Sequence, residues 1–294
     1  MGAKRYFCGM LPSAPHLVLR GHQGAVYDLA WNSASNSWIS AGGDGVLASW
    51  KHGEENGTAI AHHTTPFYAT AIWEEAVVGG NATGELFMHT PKGHRILSNR
   101  EAPVFSLFAD KERALWSGDG DGNICRWEMA TSGPIMTHQW ETALGKVRHI
   151  SEHPSGLIAA GGSGSWMVIH RNLKLDPPVH AHERSCYWAH ALTSKQAVLS
   201  GGQDGQLKVH QGNKELLTMD IHQSAVYRCA LQGEVLWTCG RDKDVKAWDT
   251  TSLNALGKLP RPHARSVNAL LVGGPNAAFL ATAGDDRTIK IWAL

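Results

Sequence analysis

Three histidines, His89, His170 and His210, each close an alternating apolar run: "ELFMH", "WMVIH" and "QLKVH". Imidazole is a common zinc ligand, but zinc needs donors converging at about 2 Å. "GDGDGN" at 118–123 has the oxygen-rich look of a calcium loop, yet no bidentate acid follows where such a loop requires one. The nucleophile, metalloprotease and phosphate-loop patterns G-x-S-x-G, H-E-x-x-H and GxxxxGK[ST] do not occur. Five cysteines (Cys8, Cys125, Cys186, Cys229, Cys239) form no C-x-x-C pair and are odd in number, which fits reduced thiols better than a disulfide framework. Neither catalysis nor a metal or other cofactor is therefore expected.

What positions these residues is a repeat. A Gly-rich phrase recurs seven times: "SAGGDG" (40–45), "VGGNATG" (78–84), "SGDGDG" (117–122), "AGGSGS" (160–165), "SGGQDG" (200–205), "TCGRDK" (238–243) and "TAGDDR" (282–287). Its acidic place falls at Asp44, Thr83, Asp121, Gly164, Asp204, Asp242 and Asp286, spaced by 38 to 44 residues. A period near forty marks units too small to bury their own cores, stacked or closed in a ring. Each phrase lies between an apolar run such as "QAVLS" and an alternating one such as "TIKIW", the pattern of a hairpin turning on residues that tolerate positive φ. A third strand precedes, often opened by His ("GHQGAVYDLAW", "IHQSAVYRCAL"), and room remains for a fourth.

These offsets resemble the WD40-repeat family. The resemblance covers residues 16–294 and rests on four places recurring together: His22, Ser40, Asp44 and Trp50 in repeat one; His222, Thr238, Asp242 and Trp248 in repeat six; His263, Thr282, Asp286 and Trp292 in repeat seven. It implies an all-β, seven-bladed propeller with four antiparallel strands per blade, in which each tetrad forms a buried hydrogen-bond network. Repeats two, four and five carry His89, His170 and His210 at the Trp place, where a smaller ring is expected to donate a bond within its own blade. Repeats three and four align Arg100 and Ala143 with the first His, so those blades should be held less tightly. "HLVLR" (16–20) should supply the outer strand of the last blade and close the ring, with residues 1–15 as a short extension to a single domain, 16–294.

The resemblance also implies that partners bind the narrow top face, through the places three and five after the blade's His and the one before the hairpin Asp. The place five after the His holds Tyr27, Tyr68, Phe105, Arg148, Tyr187, Tyr227 and Asn268. Of five tyrosines in the chain, four fall at this one register. The place three after is mostly small (Ala25, Pro66, Pro103, Lys146, Ser185, Ala225, Ser266), which should leave the rings uncovered. A core place would be Val, as it is one residue earlier at Val26, Val104, Val147, Val226 and Val267; Tyr suits a half-wet binding surface. Lys146, Arg148 and Arg241 add positive charge, so the expected partner is a protein or peptide with an acidic, carboxylate, or aromatic or proline-bearing segment. A methyl-lysine cage is disfavoured because few acids accompany the rings.

Two alternatives stay open. A propeller enzyme or small-ligand protein would use the central channel, where His149, Trp188 and Arg228 share the next register with Asp28 as the sole carboxylate; a structural subunit would dock through its circumference. Trp31, Trp73, Trp116 and Trp237 read as core, and the sequence alone does not decide between core and a more exposed place for Trp188, which follows Tyr187. With 27 Lys plus Arg against 26 Asp plus Glu, no basic field favours nucleic acid or anionic lipid. No signal-peptide, membrane-span or myristoylation pattern occurs, and a cytoplasmic, monomeric interaction scaffold is the expectation.

Overall fold

The computed structural model describes residues 11–99 and 101–294. Residues 1–10 of the extension, with Tyr6 and Cys8, and Arg100 lie outside the described residues.

The chain forms seven four-stranded antiparallel sheets, each built from consecutive strands except the last. That one takes its outer strand from the other end of the chain: Leu17–Arg20 pairs with Thr288–Ala293, Leu19 opposite Ile289. Joining first strand to last closes the ring and leaves no open blade between termini. Among the described residues helix is limited to two three-residue 3₁₀ turns, Thr193–Lys195 and Pro275–Ala277. Leu11, within the expected extension, packs on the apolar core between blades six and seven, so the segment leading into the first strand is partly structural.

Apolar residues of one blade face those of the next. The five valines that begin the inner strands of blades one, three, four, six and seven are buried, each worth about 1.5–3 kcal/mol on burial. Polar atoms stitch neighbouring blades: Ser106 Oγ donates to the Val147 carbonyl (3.3 Å), Ser151 Oγ to Ala189 (3.0 Å) and Trp73 Nε1 to Arg113 (2.8 Å). The hairpin turn that bears the acidic place also supports the following blade. Gly45, at φ +75°, accepts the His63 N–H at 2.7 Å, and a Cβ there would stand 2.0 Å from the His63 carbonyl oxygen. Both the backbone angle and the close approach require glycine.

Every inner strand carries a register shift at one place. Val26 faces Gly42 and Asp28 faces Ala41, so Tyr27 between them has no cross-strand partner. The same shift brackets Tyr68, Phe105, Arg148, Tyr187, Tyr227 and Asn268. A β-bulge frees its extra residue from the pleat and re-aims the side chain. Seven bulges thus turn seven side chains toward the axis at one end of the propeller, beside the loops that precede the inner strands.

Candidate functional site

The tetrads hold this end rigid. In blade one, His22 Nδ1 donates to Asp44 at 3.0 Å, Ser40 Oγ donates to His22 Nε2 at 2.8 Å, and Trp50 Nε1 donates to the same hydroxyl at 2.8 Å. A hydroxyl with one proton and two lone pairs fits that place. Blade six repeats it with His222–Asp242, Thr238–His222 and Trp248–Thr238 all at 2.9 Å. Blade seven repeats it with His263–Asp286 and Thr282–His263 at 2.9 Å and Trp292–Thr282 at 3.0 Å. Burial pushes the Asp44, Asp242 and Asp286 carboxyls up, but the hydrogen bonds and fields of their histidines and of backbone N–H groups outweigh it and leave all three below the ordinary carboxylate range.

The other blades keep fragments. Blade five has His182 bonded to Asp204 (2.8 Å) and Ser200 (3.0 Å). Blade three keeps Trp127 Nε1 donating to Ser117 (3.1 Å). In blade two, His63 meets Glu85 at 2.9 Å and Asn81 donates to Glu85 at 2.8 Å, so Glu85, not the aligned Thr83, supplies the carboxylate. The expectation that His89, His170 and His210 donate within their blades fails for two of them. His170 bonds Asp176 at 2.9 Å; blade two has Gly79 where blade one has Ser40, so His89 has no hydroxyl to meet, and among the described residues His210 makes no hydrogen bond to Ser200. The three lie in blades two, four and five, and among the described residues no group of three His, Cys, Asp or Glu converges.

The bulged residues form one connected chain around the mouth. Tyr27 meets Tyr68 edge-on at 5.3 Å, Tyr68 stacks on Phe105 at 5.2 Å, and Tyr187 meets Tyr227 edge-on at 5.0 Å. The Arg148 guanidinium fills the gap, 5.0 Å from the Phe105 ring and 5.3 Å from that of Tyr187. Asn268 closes the circuit by donating to the Val26 carbonyl (3.2 Å) and to Asp285 (2.7 Å). All seven are half-buried. The rings are therefore not uncovered by small neighbours, as the sequence suggests. They cover one another, and Lys146, in a place otherwise small, sets its ammonium 5.9 Å over Phe105. Lys146 and Arg241 stand exposed at the rim.

Arg148 is the unusual member. Among the described residues no carboxylate pairs with it, and its Nε is buried without a hydrogen-bond partner. Burial pulls its pKa down from the ordinary arginine value against the field of Tyr187. Burial likewise raises the Tyr27 and Tyr227 hydroxyls. Below the ring, Asp28 accepts the Thr70 N–H at 2.9 Å, and Arg228 donates to the carbonyls of Tyr227 (3.3 Å) and Arg148 (3.4 Å). Burial raises the Asp28 carboxyl against the pull of Arg228 and drives His149 well below the ordinary imidazole value.

Comparison with known proteins agrees with this geometry. The WD40 family model (WD domain, G-beta repeat) matches residues 13–51 and 256–293, which hold two of the three complete tetrads. The WD40 β-propeller domain of Doa1 superposes with a TM-score of 0.82 over 98% of this chain and 97% of that one, at 18% identity. The chain is a seven-bladed β-propeller whose first and last repeats match the WD40 model. Among curated relatives, the ribosome biogenesis protein ytm1 of Aspergillus oryzae is 22% identical over 95% of this chain and 54% of its own length. The guanine nucleotide-binding protein subunit beta of Solanum tuberosum is 21% identical over 94% of this chain and 82% of its own. The chain thus spans about half the length of the first of these relatives.

Within the propeller, Trp188, which the sequence left undecided, is 0% exposed: it lies over its own sheet at Gly201, where a Cβ would stand 2.3 Å from its ring. Trp31, read as core, is half-buried and packs on Trp38 at 4.7 Å. The next register therefore divides, with Asp28, His149 and Arg228 lining the channel and Trp188 in a blade.

Proposed function

We propose that this propeller is a non-catalytic scaffold whose top face binds a peptide segment of a protein partner, seating a carboxylate on Arg148 and apolar, aromatic or proline side chains against the flanking rings. The observation that carries the reading is the half-buried guanidinium held between Phe105 and Tyr187, its Nε unpaired and with no carboxylate partner among the described residues. A charge so placed is costly until a partner satisfies it, and an incoming carboxylate would do so in a charge-assisted bond. Tyr27, Tyr68, Tyr187 and Tyr227 offer rigid, amphipathic contact area of the kind enriched at binding hot spots, while Lys146 and Arg241 steer acidic segments toward the mouth.

A catalytic reading has less support. The channel carboxylate Asp28 is occupied by a backbone N–H and lies near Arg228, and among the described residues no activated nucleophile accompanies it. The curated relatives named above are consistent with a scaffold rather than an enzyme. A cytoplasmic setting goes with this reading, supported by Cys186, Cys229 and Cys239 as buried thiols outside any disulfide.

The test is the triple change Tyr27→Ala, Tyr187→Ala and Tyr227→Ala in the full chain. Partner capture read by quantitative mass spectrometry should be lost while the melting temperature stays near wild type. Capture retained in the variant would reject the top face as the binding surface.

A further inference from the structure

The central channel below the ring measures about 470 Å³, within the range of small-molecule sites, about 300–1,000 Å³. Its wall changes character along the inner strands. The place just after the bulge is polar in three blades, at Asp28, His149 and Arg228, and His190 lies two places further along its own strand. Toward the far end the wall is apolar, formed by Trp31, Ile72, Phe108, Leu231, Leu271 and Val272. All six are half-buried, so part of each side chain is left uncovered by its blade. At about 3.3 Å per residue, roughly 10 Å of strand separates Asp28 and Arg228 from Trp31 and Leu231.

Arg228 dominates the polar zone. Its Nη1 donates to the carbonyls of Tyr227 (3.3 Å) and Arg148 (3.4 Å), so the side chain reaches from blade six past blade five to blade four. Both bonds are long, and a guanidinium carries further N–H donors in a fixed fork. Among the described residues no carboxylate pairs with Arg228. Unlike Arg148 Nε, none of its nitrogens is sealed off without a partner, so its remaining donors meet accessible space, and the space that Arg228 lines is the channel. Asp28, the one carboxylate on the described channel wall, is turned to the Thr70 N–H of blade two at 2.9 Å and makes no ion pair with Arg228. Burial, and after it the Arg228 charge, pull the pKa values of Arg148 and His149 down, as expected where like charges gather without a counter-ion.

An occupant must suit both zones. A small inorganic anion would answer the positive charge but leave the apolar walls wet, where water finds few partners. A neutral chain would cover those walls and leave the guanidinium unmet. We propose that the central channel is a binding site for an aliphatic monocarboxylate, its carboxylate on the Arg228 guanidinium and its tail along the apolar walls, pointing away from the ring. The two oxygens of a carboxylate match the donor fork of arginine in a charge-assisted pair. This site lies below the ring and does not rest on the peptide-binding reading.

The probes are octanoate, octanamide and acetate, titrated into the full chain carrying ¹³C-labelled isoleucine δ-methyl groups. The readout is the methyl resonance of Ile72, assigned by its disappearance in Ile72→Val. Octanoate should shift that resonance saturably, with octanamide, which lacks the charge, and acetate, which lacks the tail, each at least about tenfold weaker. Arg228→Met should weaken octanoate by a similar factor and leave octanamide unchanged, with folding checked by circular dichroism. The ranking of the three probes is measured on the wild-type chain, so it decides the proposal even where Arg228→Met fails to fold. Absence of a saturable octanoate shift up to its solubility limit would overturn the proposal. So would octanamide or acetate binding as tightly as octanoate, or octanoate binding unchanged in folded Arg228→Met, which would place the carboxylate elsewhere.

Discussion

Ser40→Ala tests whether the tetrads hold the blades as hydrogen-bond relays rather than as packed side chains. Ser40 is 0% exposed and its hydroxyl serves two buried rings, donating to His22 Nε2 and accepting from Trp50 Nε1. Removing one oxygen leaves both nitrogens unmet where water cannot follow. At about 1–3 kcal/mol per stranded group, the loss should be about 2–6 kcal/mol. The incomplete tetrads are internal controls. Ser200→Ala strands only His182 Nε2, and Ser117→Ala only Trp127 Nε1, so each should cost about 1–3 kcal/mol. Equilibrium urea unfolding of the three variants, followed by far-ultraviolet circular dichroism with slopes compared, gives the ranking. If Ser40→Ala costs no more than Ser200→Ala and Ser117→Ala, the relay is not what stabilises the blade.

Three further outcomes are expected. Because the native carboxyls of Asp44, Asp204, Asp242 and Asp286 lie below their unfolded values, their stabilisation is present above the unfolded aspartate pKa, about 3.9, and is lost as pH falls through the native ones. The urea midpoint should therefore hold from pH 7 to about 5 and drop below that, less steeply in Asp286→Asn; an equal drop would be the contrary result. Gly45→Ala, forced against the His63 carbonyl at positive φ, should cost more than the ~1 kcal/mol of an ordinary glycine replacement, measured by the same unfolding. Trp188→Ala should cost about 3–5 kcal/mol without loss of partner capture, since that ring is core and not rim.

Residues that act within a blade could be read from the sequence, and those that act between strands could not. His22, His222 and His263 sit at fixed offsets from Ser or Thr, Asp and Trp, and the tetrads follow because those offsets are set by loop and hairpin lengths alone. The closing strand Leu17–Arg20 was legible because the final repeat lacks one strand of its own. The place five after the His marked the ring residues, but the bulge that presents them depends on cross-strand register, which one strand's sequence does not show. Mutual stacking of the rings, and Arg148 held between two of them, follow only once seven blades close at a fixed radius. Trp188 could not be placed from its neighbour Tyr187 at the rim; the signal that could have placed it was Gly201, the small residue opposite.

The central claim is that partners meet the ring face. Its most direct test is site-specific photo-crosslinking of the full chain, with benzoylphenylalanine placed singly at Lys146 or Arg241 on the top rim, and at Ser35, an exposed residue of the hairpin turn at the opposite end. Adducts to a protein partner from the two top positions and none from Ser35, abolished by Arg148→Met, are the predicted result. Adducts from Ser35 with none from Lys146 or Arg241, or top adducts indifferent to Arg148→Met, would contradict it.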